Sequence, residues 1–208
     1  MSQIKNIVLA SSSPFRKKIL SSSGISFKAA EPLCDEYLIQ DKDPKILALK
    51  RSEAKAFSLT NDYPYTLIIG SDQTLSLEDK AYSKAKSAEE AYFQLKELSG
   101  KTHFLHTGCV LYSTEKEIST PPQKIWQDCI SIPISFRTLS DQEIRNYVET
   151  GEWQGTVGSY RLEAQGVQLL SRPILAETAA VVGLPLVALL TELRKNGINK
   201  SKTSPDQA

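Results

Sequence analysis

Ile7-Val-Leu-Ala-Ser-Ser-Ser-Pro-Phe-Arg-Lys-Lys-Ile-Leu20 passes abruptly from an apolar run into a capped helix. Ile7–Ala10 has the character of a buried strand. Ser13-Pro14 reads as an N-cap followed by proline at the first helical position, where a missing N–H costs nothing. A strand that turns at once into a helix leaves free backbone N–H groups, the positive end of the helix dipole, serine hydroxyls and Arg16 within one turn. That combination favours a bound phosphate. The same residues also fit a plain surface cap with a solvated basic face.

Outward from this stretch, apolar strand patterns and helical patterns alternate, which predicts an α/β fold. The 208 residues fit a single unit over 1–198, in two lobes around a cleft, and a polar tail over 199–208. Ser21-Ser-Ser-Gly24 closes the first helix, and Ile25–Ala29 alternates as a strand. Asp43-Pro44 repeats the cap-then-proline pattern and opens a helix to about residue 59, with Ile46, Leu47, Leu49, Ala54, Ala56 and Phe57 on its buried side. Thr66-Leu-Ile-Ile-Gly-Ser-Asp72 reads as an apolar strand whose exit carries a glycine and a carboxylate, placing Asp72 at the carboxyl end of the sheet, where α/β proteins bind ligands. A turn or cap residue is the plain alternative for Asp72. Ser87-Ala-Glu-Glu90 and Ser140-Asp-Gln-Glu143 read as capping boxes. Thr102–Ser113 reads as a long strand, and 130–139 as another whose Pro133 marks an edge or a bulge. Leu186, Leu189, Leu190 and Leu193 stripe the last helix.

Composition excludes several partners. With 25 Lys+Arg against 24 Asp+Glu, the net charge of +1 provides no general attraction to a nucleic acid polymer or an anionic membrane, so anion binding must be local. No segment reads as a signal peptide or a membrane span, and a cytoplasmic location is the default expectation. Cys34, Cys109 and Cys129 are odd in number and widely separated, which suggests neither a disulfide framework nor a zinc site. His103 and His106, three apart on a strand, point to opposite faces and do not share a metal. The phosphate-loop pattern G-x-x-x-x-G-K-[ST], the G-x-G-x-x-G fingerprint and the G-x-S-x-G elbow are all missing.

What remains is a set of polar residues at the ends of elements: Ser11, Arg16, Glu36, Lys55, Asp72 and Lys84. A polyphosphate site needs such a mixture. Cations and helix N–H groups hold phosphate oxygens, while carboxylates bind a divalent metal and orient or deprotonate the attacking water. Hard oxygen ligands favour Mg²⁺ or Mn²⁺.

In order along the chain, these residues resemble the Maf nucleotide pyrophosphatases. Leu9-Ala-Ser-Ser-Ser-Pro-Phe-Arg16 is similar to the family's opening motif, Cys34-Asp-Glu36 to its acidic pair, Ser52-Glu-Ala-Lys-Ala56 to its lysine helix and Ile69-Gly-Ser-Asp-Gln73 to its G-x-D segment. Lys84, Leu98-Ser-Gly-Lys-Thr-His103 with Thr107-Gly108, Gly158-Ser-Tyr160 and Val182-Gly-Leu-Pro-Leu186 follow in family order.

The resemblance implies an elongated mixed sheet with flanking helices, similar to the inosine-triphosphate pyrophosphatases, and a nucleotide in the cleft between lobes. It implies cleavage of a nucleoside triphosphate to the monophosphate and pyrophosphate with a divalent cation. By position, Asp72 looks like the general base and Glu36, with Asp72, a metal ligand. Ser11, Arg16, Lys55 and Lys84 look like the phosphate-binding set. Phe15, Gln73 and Glu163 stand at positions that bear on base choice, and here resemble the branch associated with 7-methyl-GTP. Family analogy also implies a homodimer. A 7-methyl-GTP-specific enzyme and a weakly active nucleotide-binding regulator of septation are the alternatives. The chain departs from the family pattern at Ala85, at Ala164 and over Arg172–Ala180, which reads as helical or irregular.

Overall fold

The computed structural model describes residues 6–78, 80–117 and 119–198, so the expected polar tail at 199–208 lies outside the described residues. The first strand, β1 (Asn6–Ala10), runs into α1 (Pro14–Ser22), and the Ser13 hydroxyl accepts a hydrogen bond from the Arg16 backbone N–H at 3.4 Å, as the cap-and-proline signature predicts. Then come β2 (Lys28–Ala30), α2 (Pro44–Phe57), β3 (Thr66–Leu77), β4 (Lys80–Tyr82), α3 (Ala88–Leu98), β5 (Thr102–Ser113), β6 (Gln123–Ser135), α4 (Asp141–Glu149), α5 (Thr178–Val181) and α6 (Leu186–Lys195).

The six strands form one mixed sheet in the order β2-β1-β3-β5-β6, with β4 added to the far half of β3. β1 runs parallel to β2 and β3, whereas β5 is antiparallel to both β3 and β6. This is the expected mixed sheet with flanking helices. Three clusters fill its faces. Ile7, Leu9, Leu67 and Ile69 pack under α6, while Val8, Ala10 and Ile68 pack on the opposite face against Ala56 of α2. Leu75, Leu95, Ile132 and Ile144 belong to a third cluster, in the lobe that contains α3 and α4.

β3 differs from the expectation in a way that matters. It does not exit at Asp72 but continues to Leu77. Its β1 neighbour ends where Ala10 meets Gly70, and β4 pairs only from Leu75. Between those points the strand keeps β5 on one side, and Asp72 and Gln73 line the cleft, so Asp72 lies beyond the carboxyl end of β1 while sitting inside its own strand. The glycine that looks like a strand ender is needed for close packing. A Cβ on Gly70 would stand 2.0 Å from the Ser52 carbonyl oxygen of α2, and one on Gly108 of β5 would stand 2.8 Å from the Ala48 carbonyl. Both glycines let α2 lie directly on the sheet.

Other boundaries also moved. β6 begins at Gln123 rather than 130, and as the edge strand it tolerates Pro133. Ile46 and Phe57, expected on the buried side of α2, are exposed, whereas Leu47, Ala48, Ser52 and Lys55 are buried. Ser140 and Glu143 form the full reciprocal capping box. At Ser87 the Glu90 carboxylate instead accepts from the Lys86 N–H, one residue back. Residues 172–177 are irregular, and one helical turn, Thr178–Val181, follows. Ala164 has φ −137°, a backbone that needs no glycine.

Candidate active site

α2 is set so tightly on the sheet that Lys55, in its last turn, reaches across to the even-numbered face of β3. Its Nζ donates to Asp72 Oδ1 at 2.6 Å and also pairs with Glu36. Lys55 and Asp72 are only 7% and 5% exposed. Two charges that buried would be costly alone; together they satisfy one another. Glu36 enters from a 3-10 turn, Glu36–Leu38, capped by Asp35, whose carboxylate accepts from the Tyr37 N–H at 2.9 Å. Within the acidic pair, Asp35 is therefore the cap and Glu36 the acid that pairs with the lysines. Lys84 Nζ donates to the other Glu36 oxygen at 3.2 Å. Burial pushes the Glu36 carboxyl up, but Lys55 and then Lys84 outweigh it and bring it down to about 2.

The cleft has two chambers. The larger, about 490 Å³, is lined at one wall by Ser11–Arg16 and at the other by Glu36, Lys55 and Lys84. The smaller, about 140 Å³, takes in Phe15, Asp72, Gln73, Leu105, Tyr160 and Glu163. Ser13, Phe15, Arg16, Lys84 and Gly155 line both, so the chambers communicate. Every residue singled out from the sequence therefore lines one connected cleft, although the sequence separates the first from the last by most of the chain.

Several are held by neighbouring backbone and side chains. The Arg16 Nε donates to the Gly183 carbonyl at 2.8 Å, and the Ser71 hydroxyl donates to the same oxygen at 2.9 Å. Ser11 is buried and its Oγ accepts from the Ser13 N–H at 3.2 Å, shaping the turn into α1. Lys84 is anchored by an isolated antiparallel bridge to Val157. The Gln73 amide donates to Thr107 Oγ1 at 2.8 Å and to the Val181 carbonyl at 3.0 Å, which fixes it as the inner wall of the smaller chamber. Burial pushes the Glu163 carboxyl up.

Sequence reasoning did not single out Arg161. Its guanidinium lies over the Phe15 ring, 4.9 Å from the centroid, with Nε 3.8 Å from Glu163 Oε1. The available signal was a basic residue directly after Gly158-Ser-Tyr160 and two before Glu163. His103 was correctly kept apart from His106. Its Nε2 lies 2.8 Å from the Tyr160 hydroxyl inside the third cluster, while His106 bonds to Ser76 and Ser131.

Glu36 in the larger chamber and Asp72 in the smaller, joined through the Lys55 ammonium, suit Mg²⁺, which is characteristically bound by one or two carboxylates together with substrate phosphates. Among the described residues no group of three His, Cys, Asp or Glu is placed to hold a metal without such help. The donor set thus fits a hard cation that arrives with phosphate oxygens. No helix among the described residues is long and apolar enough to cross a membrane.

Comparison with known proteins agrees with the motif order. The family profile described as Maf-like protein matches residues 6–196. A 7-methyl-GTP pyrophosphatase of Aliivibrio fischeri is 35% identical, over 93% of this chain and 97% of its own. Another of that name from Rhizobium meliloti is 35% identical, over 92% and 96%, and one from Colwellia psychrerythraea is 32% identical, over 94% and 95%. A solved structure of a HAM1 protein from Coxiella burnetii overlaps more loosely, with a TM-score of 0.40 and 14% identity over 91% of this chain and all of that one. The profile match over 6–196, and relatives of this identity along nearly the whole length, establish that the chain belongs to the Maf family.

Proposed function

We propose that this protein is a nucleoside triphosphate pyrophosphatase that cleaves 7-methyl-GTP to 7-methyl-GMP and pyrophosphate. The observation that carries the reading is the buried Lys55 ammonium holding the Asp72 and Glu36 carboxylates at the wall of a cleft whose other side is a helix N-terminus. The names of the relatives support the choice of base.

The triphosphate lies in the larger chamber, its oxygens held by Arg16, Lys84, the Ser11 hydroxyl and the N–H groups that open α1. Lys55 keeps the two acids in register, and its third N–H remains for a phosphate oxygen. Asp72 orients a water toward the α-phosphorus and takes its proton. The water oxygen bonds to phosphorus as the bridging bond to the β-phosphate breaks, and pyrophosphate leaves with that electron pair. Mg²⁺ or Mn²⁺ held by Glu36, Asp72 and phosphate oxygens would supply charge neutralisation there. In the smaller chamber Phe15 offers a ring face to the base, and Glu163 a carboxylate to its N–H edge or its positive charge.

The test is pyrophosphate release from a panel of triphosphates with Mg²⁺, comparing the wild type with Asp72→Asn. The expected result is fastest turnover of 7-methyl-GTP and a loss of about a hundredfold or more in the variant. Equal rates for the two proteins would overturn the role of Asp72, and a wild type that cleaves no triphosphate would overturn the function.

A further inference from the structure

The two groups best suited to hold a cationic base are already occupied by a cation of the protein. The Arg161 guanidinium lies on the Phe15 ring at 4.9 Å and faces the Glu163 carboxylate with Nε at 3.8 Å. Its remaining ties are weak. Nη2 donates to the Gln154 carbonyl at a long 3.2 Å, and Nε is buried with no hydrogen-bond partner. Arg161 also lines the larger chamber, on the same wall as Phe15 and Arg16. It therefore stands at the junction between the place for the base and the place for the phosphates.

We propose that Arg161 couples base recognition to phosphate binding: a positively charged base takes its place on Phe15 and Glu163 and turns the guanidinium onto the polyphosphate. Guanidinium and a 7-methylated guanine ring are both planar, and both spread a positive charge over a π-system. One replaces the other on an aromatic face and before a carboxylate with little net loss. A neutral guanine brings no charge to Glu163. A ligand shifts a conformational equilibrium only by its differential affinity for the two states, so a neutral base leaves Arg161 parked. The orphaned Nε lowers the cost of departure, because the parked state forgoes a hydrogen bond that phosphate oxygens would supply. Selectivity then resides in turnover as well as binding: the correct base recruits one more cation to the phosphates.

This inference rests on the reading of the cleft as a 7-methyl-GTP site, and the experiment separates the two. Calorimetric titration with the nucleoside 7-methylguanosine reads the parked state without phosphate or turnover, so it can fail while wild-type hydrolysis of 7-methyl-GTP stands. In Arg161→Gln the internal competitor is gone, and the nucleoside is expected to bind about three- to tenfold tighter. In the same variant kcat for 7-methyl-GTP is expected to fall roughly tenfold or more, and kcat for GTP by a clearly smaller factor. Arg161→Lys, which keeps the charge, is expected to recover most of the lost turnover. Unchanged or weaker nucleoside binding in Arg161→Gln would overturn the proposal. So would an equal loss of kcat with both triphosphates, the mark of an ordinary phosphate ligand, or an Arg161→Lys protein as slow as Arg161→Gln.

Discussion

On the phosphate side of the cleft, Lys55, Asp72 and Glu36 come from a helix, the middle of a strand and a capped turn, and they contact one another directly. On the base side, Arg161 and Glu163 come from the loop between Gly158 and Gly166 and meet at 3.8 Å, too far for a hydrogen bond from the buried Nε. The first arrangement is locked by close backbone packing, because Gly70 and Gly108 bring α2 onto the sheet. The second is held by contacts that a ligand can replace. The difference teaches where precision is needed. On the proposed function, water attack would tolerate little displacement of its base, which suits an acid on regular elements, and recognition of a flat ring would tolerate exchange, which suits a loop.

The most forceful way to break the comparison is through packing. Gly70→Ala puts a methyl group against backbone that cannot step aside, and it is expected to cost roughly 3 to 4 kcal/mol in urea unfolding. If Gly70→Ala were as stable and as active as the wild type, the phosphate side would not owe its geometry to the contact between α2 and the sheet.

Acid sharpens the comparison from the other side. His103 ties Tyr160, the residue before Arg161, into the core, and burial pulls its pKa from 6.5 down to about 4. The folded protein thus resists a proton that the unfolded chain accepts. Stability is complete above about pH 6.5 and is lost as the pH falls toward 4, by about 3 kcal/mol in all. Burial acts on His106 in the same direction. Urea unfolding at stepped pH checks this, and His103→Gln should lack most of the decline over that window.

The smallest effect is expected at the ring itself. Phe15→Leu should raise KM for 7-methyl-GTP about three- to tenfold with little change in kcat, since an exchangeable aromatic face contributes binding rather than chemistry. A collapse of kcat would place Phe15 with the locked side of the cleft.

Much of this was legible before any coordinates. Ser13-Pro14 and Asp43-Pro44 mark helix starts because capping is local chemistry, and both helices begin where those pairs predict. Strand β5 has the predicted limits, Thr102–Ser113, and is paired on both sides, by β3 and by β6. The continuation of β3 past Asp72 was not legible: glycine and aspartate carry turn chemistry, and only pairing with β5 and the approach of α2 override it. The start of β6 was missed for a related reason, since polar Gln123, Lys124, Gln127 and Asp128 flank Ile125 and Trp126 and the segment gains strand structure from its neighbour. In the cleft, the residues singled out from the sequence all line the wall, but Arg161 and the partnerships among them were not readable. Nothing near Lys55 in sequence announces that it spans two acids, and Arg161 becomes visible only when the chain brings Phe15 beside it.

The length of β3 and β5 limits how the molecule can breathe. Both strands run unbroken from the core beneath α6 into the core of the other lobe, paired with each other from Leu67 to Ser76. Rotation of one lobe against the other would have to shear that ladder, so no hinge is available at the mouth of the pocket. Admission of a nucleotide and release of its products would then fall to the surface segment 31–40 above Glu36, since the loop that carries Arg161 is tied to the core through Tyr160 and to Lys84 through Val157.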